Sequence, residues 1–362
     1  MSGTDGTITL DDLDYDLPDR LVAQTPVEPR DAARLLLVRR AGGPLEDHVF
    51  THLPRLLRPG DVLVRNNTRV FPARSFFHRA TGGRVEALFL GALTEPGSGA
   101  ERWEVLLRGR PRREEVLENE VGGPEWRLRC IEPLGDGRWV VESLAASPVL
   151  SLLEEVGVTP LPPYITTPLD DPDRYQTTYA CSTGSAAAPT AGLHFTTGLD
   201  AALASAGVTV ESLTLHVGLG TFQPLRAQTL RAATLHAEAY EVEATTWTRL
   251  CEARHAGRRI IAVGTTSMRV LEHLAREADQ HASSADGETG QAVLRGETRL
   301  FIRPGFSFLM VDGLLTNFHL PRTSLLALVM AFCGAARTRA AYRHAVAHDY
   351  RFYSFGDAMV AL

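Results

Sequence analysis

The chain has 362 residues, 44% hydrophobic and 22% charged, with a net charge of −6. At roughly 150 residues per domain this is a two-domain length with enough apolar mass for an unstapled core, which excludes a disordered or collagen-like chain. The longest apolar run, 325–333, is far shorter than the roughly 18 residues of a membrane span, and residues 1–10 carry no basic or apolar signal region, so a soluble cytoplasmic protein without a membrane partner is expected.

Residues 1–12 read as a loose tail, and 14–30, with three prolines, as an extended entry. The apolar run 35–38 predicts a strand, 53–57 a helical turn closed by Pro59-Gly60, and 61–65 a second strand. From about 64 to 150 the texture changes. Short β-like runs at 85–90, 103–107, 126–131 and 139–141 recur between Gly, Pro and Asp, which suggests a small barrel or sandwich. Helices and strands then alternate. Residues 149–156 and 199–206 read as helices, the second stopped by Gly207, and 208–217 as a strand. A helix over 246–255 leads to a strand at 260–263. Apolar residues at 268, 271, 274, 275 and 278 mark one face of a further helix. Residues 279–298 read as a surface loop, 306–311 as a strand, and 325–333 as a buried helix. The expected fold class is α/β: a large sheet domain from residues 1–63 and 151–362, with a small β-barrel domain inserted at 64–150.

Composition limits the chemistry. All 37 residues counted as lysine plus arginine are arginine, so a lysine Schiff base and a P-loop are excluded. The four cysteines, Cys130, Cys181, Cys251 and Cys333, are scattered, which predicts reduced thiols and neither zinc nor disulfides. The acidic balance argues against coating nucleic acid through global charge. Screening over about 8 Å nonetheless leaves a local arginine face effective, and Arg69, Arg74, Arg79 and Arg84, then Arg108, Arg110, Arg112 and Arg113, are the candidate clusters.

In open α/β sheets ligands bind beyond the C-terminal strand ends. Four segments qualify. Residues 213–222, LTLHVGLGTF, put Thr214 and His216 on one face before two glycines, without a dinucleotide fingerprint. Residues 260–269, IIAVGTTSMR, read as strand, glycine turn, Thr/Ser cap and helix, an anion-binding arrangement to which Arg269 adds a bidentate donor. Residues 316–321, TNFHLP, place three hydrogen-bonding side chains around an aromatic. Residues 188–196, APTAGLHFT, carry His194 before a helix cap at Thr196 or Thr197. Asp312 and Glu238 are single acids nearby. No H-E-x-x-H, G-x-S-x-G or Cys–His nucleophile pattern is present. The residues alone give an enzyme-like α/β chain and no reaction.

Read together, GSAAAPTAGLHF (184–195), LHVGLGTF (215–222), AVGTTSMR (262–269), LLTNFHLP (314–321) and YRFYSFGDAM (350–359) resemble, in order, the S-adenosylmethionine:tRNA ribosyltransferase-isomerase family of queuosine biosynthesis. So do DYDLPDRLVAQTP (14–26), EPRDAARLLLV (28–38), NNTRVFPAR (66–74) and LPPY (161–164). The resemblance runs from about residue 13 to 360. It implies a large α/β domain with an inserted small β-barrel. It also implies transfer and isomerisation of the ribosyl part of S-adenosylmethionine onto 7-aminomethyl-7-deazaguanine at the tRNA wobble position, giving epoxyqueuosine and releasing adenine and methionine. S-adenosylmethionine is then a co-substrate, and no bound cofactor or metal is implied.

Under that resemblance, residue types suggest roles. The sulfonium acidifies the adjacent 5′-carbon, so a base of near-neutral pKa is needed, with His216 or His319 first and His194 third. Asp312 or Glu238 would protonate departing adenine or hold the ribose diol. The methionine carboxylate suits Gly264, Thr265, Thr266 and Ser267 with Arg269. The glycine turn Gly218, Gly220 and Thr221, with Asn317, completes the donor site, and Phe222, Phe318 or Tyr353 would face the sulfonium. The tRNA phosphates suit Arg69, Arg74, Arg108, Arg110, Arg112 and Arg113. The chain departs from the family pattern, as Asn67 replaces an aspartate, Ala239-Tyr240 replaces Trp-Tyr, and the basic stretch of the barrel ends acidic. A paralogue with another 7-deazaguanine or nucleoside acceptor, and a non-catalytic RNA-binding protein, are the alternative readings.

Overall fold

The computed structural model describes residues 9–94, 100–218, 235–282 and 292–362. Two compact units divide them. One comprises residues up to Thr68, Pro163–Ser182 and Pro189–Leu362; the other comprises Arg69–Pro162 and Thr183–Ala188.

The first unit is built on a nine-stranded sheet. Its strands are β1 (Arg34–Val38), β2 (Leu45–Val49), β3 (Val62–Asn66), β12 (Thr209–Leu215), β13 (Glu238–Glu243), β14 (Ile260–Val263), β15 (Val293–Thr298), β16 (Gly313–Asn317) and β17 (Ala358–Ala361), in the order β15-β13-β12-β3-β14-β16-β17-β1-β2. Neighbours β12, β3, β14 and β16 run parallel, and β17 enters antiparallel to β16 and parallel to β1. Both faces are covered, which explains the unbroken apolar runs of the sequence. Leu36, Val38, Val62, Val64 and Ala262 join one core, while Leu35, Leu37, Leu63, Ile261 and Val263 join the other. Helices α4 (Ala244–His255), α5 (Gly264–Ala282), α6 (Ser324–Cys333) and α7 (Ala335–Ala347) contribute to the first core, and α1 (Leu53–Leu56) and α3 (Thr197–Ser205) to the second. Each such leucine or valine side chain gains about 1.5–3 kcal/mol on burial. The Thr196 hydroxyl caps α3 by accepting from Leu199 N–H at 3.1 Å, and Thr323 caps α6 through Leu326 N–H at 3.3 Å.

The second unit is a closed six-stranded antiparallel barrel of β5 (Arg74–Arg79), β6 (Arg84–Ala92), β7 (Arg102–Arg108), β8 (Val116–Asn119), β9 (Gly123–Gly135) and β10 (Arg138–Ser143), ordered β10-β7-β6-β5-β8-β9. Alternation sends Trp103, Val105 and Leu107 of β7 inward. They join Phe77, Phe89 and Trp126, whose rings meet edge-on or stacked at 5.2–5.9 Å. Helix α2 (Val149–Val156) belongs to this unit, and β4 (Thr68–Val70) pairs with β11 (Ser182–Ser185) where the chain leaves and re-enters the sheet unit.

Three readings of the sequence are corrected. The barrel unit starts after β3 and extends to Pro162, rather than spanning 64–150, because Val62–Asn66 is a central strand of the large sheet. Within 279–298, α5 continues to Ala282 and Val293–Thr298 forms edge strand β15, which pairs with β13. Residues 306–311 are not a strand. The N–H groups of Leu309, Met310 and Val311 donate instead to the buried Glu272 carboxylate at 2.9–3.0 Å.

Candidate active site

The C-terminal ends of β12, β3, β14 and β16 lie side by side, and each delivers polar residues to one edge of the sheet. At the end of β3 the run Asn66-Asn67-Thr68 meets Thr214-Leu215-His216 at the end of β12. Asn66, fully buried, donates to Leu215 C=O at 2.9 Å and accepts from Leu215 N–H at 3.0 Å and Thr68 N–H at 3.1 Å. Asn67 Oδ1 accepts from the Thr214 hydroxyl at 2.7 Å. A carboxylate at 67 would accept the same bond, so the departure to asparagine keeps this contact. Thr68 Oγ1 lies 2.9 Å from His216 Nδ1 and 3.4 Å from Ser182 C=O.

His216 is half-buried, and burial moves its pKa down from the usual histidine value, with the Glu241 charge opposing. Among the described residues its Nε2 has no hydrogen-bond partner. His194 is buried against Phe50, at 4.8 Å between rings, and its Nε2 accepts from Asn317 Nδ2 at 3.2 Å. Asn317 Oδ1 in turn accepts from the Thr190 hydroxyl at 3.0 Å. Burial pushes the His194 pKa down to about 4. His319 is buried too. Its Nε2 meets Thr316 Oγ1 at 2.8 Å, its backbone N–H donates to the Tyr342 hydroxyl at 3.0 Å, and burial pushes its pKa down to about 3. Burial thus disfavours the charged form of all three rings, but only His216 combines partial exposure with a ring nitrogen that has no partner among the described residues.

At β14 the helix starts at once. Gly264 takes φ +86°, a left-handed conformation suited to glycine, and is the first residue of α5. The expected Thr/Ser cap is replaced by this turn. Ser267 Oγ donates back to Val263 C=O at 2.9 Å, and the buried Thr266 hydroxyl has no partner among the described residues.

The profile of the family described as Queuosine biosynthesis protein matches residues 10–361. The chain belongs to this family. Among its relatives, the S-adenosylmethionine:tRNA ribosyltransferase-isomerases of Rubrobacter xylanophilus and Moorella thermoacetica are 47% and 46% identical, covering 97% and 98% of this chain and 97% and 99% of theirs. The enzyme of the same name from Anaeromyxobacter dehalogenans is 48% identical over 98% of this chain and 99% of its own. The crystal structure of S-adenosylmethionine tRNA ribosyltransferase from Thermotoga maritima is similar at a TM-score of 0.54 and 34% identity, covering 97% of this chain and all of that one.

In this queuosine biosynthesis family member, several residues singled out in the sequence are committed elsewhere. Asp312 precedes β16, at the opposite end of the sheet, where it pairs with Arg254 at 2.6 Å and accepts from Ile260 N–H at 3.0 Å. It is too far round the sheet to serve the edge that carries His216. Glu238 forms a buried ion pair with Arg269 and also accepts from Gly218 N–H at 3.2 Å. Arg269 further donates to Leu300 C=O at 3.0 Å and Thr298 C=O at 3.4 Å. Its guanidinium is thus consumed, and the carboxylate partner expected of it is withdrawn. Phe318 is fully buried among Tyr342, Tyr350 and Phe352 at 5.1–5.5 Å, facing the core rather than a ligand. Tyr353, at φ +74°, packs its ring at a tilt against Tyr164, 4.3 Å between centroids, with its buried hydroxyl unpartnered among the described residues. Gly220, Thr221 and Phe222 lie outside the described residues.

The barrel arginines sort by partner. Arg74 and Arg108 both pair with Glu86, at 3.2 and 3.7 Å. Arg69, Arg110, Arg112 and Arg113 are exposed. The loop holding the last three is pinned by buried Pro111 and by Arg112 N–H donating to Glu115, whose carboxylate is gripped twice by Arg79 at 2.7 and 3.0 Å.

Sequence reasoning missed Asn66 and Thr68. The signal was present: three successive hydrogen-bonding residues at the end of a central strand, opposite an alternating L-T-L-H. Among the described residues no cluster of three or more metal-ligating side chains occurs, and no single helix is long and apolar enough to cross a membrane.

Proposed function

We propose that this chain is an S-adenosylmethionine:tRNA ribosyltransferase-isomerase, moving the ribosyl part of S-adenosylmethionine onto 7-aminomethyl-7-deazaguanine in tRNA, with release of adenine and methionine. The observation that carries it is near-full-length identity of 46–48% to enzymes of that name. That similarity disfavours both a changed acceptor and a non-catalytic RNA binder. The wobble position as the site of modification and the cytoplasm as its location belong to the same reading.

His216 is the general base. The positive sulfonium raises the acidity of the 5′-carbon, and a neutral imidazole with a free nitrogen removes that proton. Burial, which lowers its pKa, favours the unprotonated ring that a base requires. The enclosed rings of His194 and His319 hold neighbouring backbone and side chains. The methionine carboxylate is held by the first amides of α5 with the Thr266 hydroxyl, which needs no arginine. Glu238 and Arg269 support the donor site by holding Gly218. The exposed Arg69, Arg110, Arg112 and Arg113 bind tRNA phosphates.

The test incubates the protein with S-adenosylmethionine and tRNA carrying 7-aminomethyl-7-deazaguanine and follows adenine by chromatography. Adenine release that depends on the modified tRNA is expected. Release that is equal with unmodified tRNA, or absent, overturns the assignment.

A further inference from the structure

We propose that Thr68 is a positioning residue that selects the tautomer of His216, presenting the Nε2 lone pair to the substrate. The inference rests on the reading of His216 as the base.

The argument is one of proton counting. A threonine hydroxyl has one proton and can accept as well as donate. Ser182 C=O, 3.4 Å from Thr68 Oγ1, can only accept. The arrangement that satisfies both neighbours has the hydroxyl donating to that carbonyl and accepting from His216 Nδ1–H at 2.9 Å. A neutral imidazole carries one N–H, so placing it on Nδ1 leaves Nε2 as the basic nitrogen. Nε2 is also the nitrogen with no partner among the described residues.

The hydroxyl itself is held firmly. Asn66 Oδ1 takes both Thr68 N–H and Leu215 N–H, which fixes Thr68 against the residue before His216. The His216 backbone N–H donates to Ala239 C=O at 2.9 Å, which fixes the main chain that carries the imidazole. Thr68 is fully buried, so no water competes for its Oγ1. An imidazole held in the wrong tautomer presents N–H where a base is needed, and rate falls without loss of binding.

The experiment labels the full chain with 15N-histidine and reads ring-nitrogen shifts, His216 being assigned from the signals missing in His216→Gln. Wild-type protein is expected to show His216 protonated on Nδ1; a resonance showing Nε2–H overturns the proposal, with no variant needed. Thr68→Val keeps the shape and removes the hydroxyl. It is expected to move His216 toward the Nε2–H tautomer and to lower kcat about tenfold or more with little change in KM for S-adenosylmethionine, while Thr68→Ser restores both. An unchanged tautomer in Thr68→Val overturns the proposal. Full activity of His216→Gln overturns the reading of His216 as base instead, and leaves the tautomer result to judge Thr68 alone.

Discussion

The Asn317 side chain donates to His194 Nε2 at 3.2 Å across 123 residues of chain, tying the end of β16 to the segment before α3. The bond uses the imidazole as an acceptor, so it exists only while His194 is neutral.

That dependence predicts acid sensitivity. The folded chain resists protonating His194 until about pH 4, whereas an unfolded histidine takes its proton near 6.5. The stability tied to this difference is complete above about pH 6.5 and is lost as pH falls toward 4, amounting to about 3 kcal/mol at one pKa unit per 1.36 kcal/mol. His319, pushed to about 3, extends the window downward. Urea midpoints at pH 7.5 and 4.5 should differ strongly in the wild type and less in His194→Gln.

The buried pair Glu238–Arg269 should behave as a unit. Glu238→Ala leaves a buried guanidinium unpaired and is expected to cost about 3–5 kcal/mol. The double variant Glu238→Ala/Arg269→Met should cost less than the single one. Asp312→Asn, at a more exposed pair, should cost under about 1 kcal/mol. Equilibrium denaturation of the four proteins checks the ranking.

Gly192 leaves room for a tyrosine. A Cβ there would stand 2.0 Å from the Tyr179 hydroxyl and 2.9 Å from Thr177 Cγ2. Gly192→Ala should destabilise by about 1–3 kcal/mol. Because the Tyr179 hydroxyl has no partner among the described residues, Tyr179→Phe loses no hydrogen bond and should recover part of that cost. Thermal unfolding of both backgrounds gives the comparison.

The barrel loop predicts a salt signature. Alanine at Arg110, Arg112 or Arg113 should weaken tRNA binding and reduce the log–log salt slope by about 0.7–0.9 for each phosphate that is no longer neutralised. Arg74→Ala and Arg108→Ala should change it less, since Glu86 already holds both guanidinium groups. Affinity measured from low to physiological salt decides between them.

Central strands were legible because burial on both faces writes itself as an apolar run, as at 35–38 and 260–263. The antiparallel strands at one end of the sheet were not. Glu238–Glu243 and the edge strand Val293–Thr298 alternate with polar residues, and the second reads as surface loop until its pairing is seen. The histidines of the site were visible as residue types, but their partners were not. Thr68 is 148 positions from His216, and no local pattern joins them. The same blindness made Arg269 look available, because Glu238 reaches it from 31 positions away. Tertiary pairing, rather than composition or period, decides which polar groups are free to meet a ligand.

Strand β1 waits longest for its neighbour. Leu35–Val38 pair with Ala358–Ala361, about 320 residues later, and all four β1 residues are buried when paired. At roughly 5–20 residues per second of translation, this leucine-rich segment leaves the ribosome tens of seconds before β17 exists. Once β16 has also been made, the sheet keeps a vacant slot between β1 and β16 until β17 follows. Growth of the polypeptide, rather than any local folding step, therefore sets when the sheet can close, and a holdase has its natural target in the first forty residues to emerge.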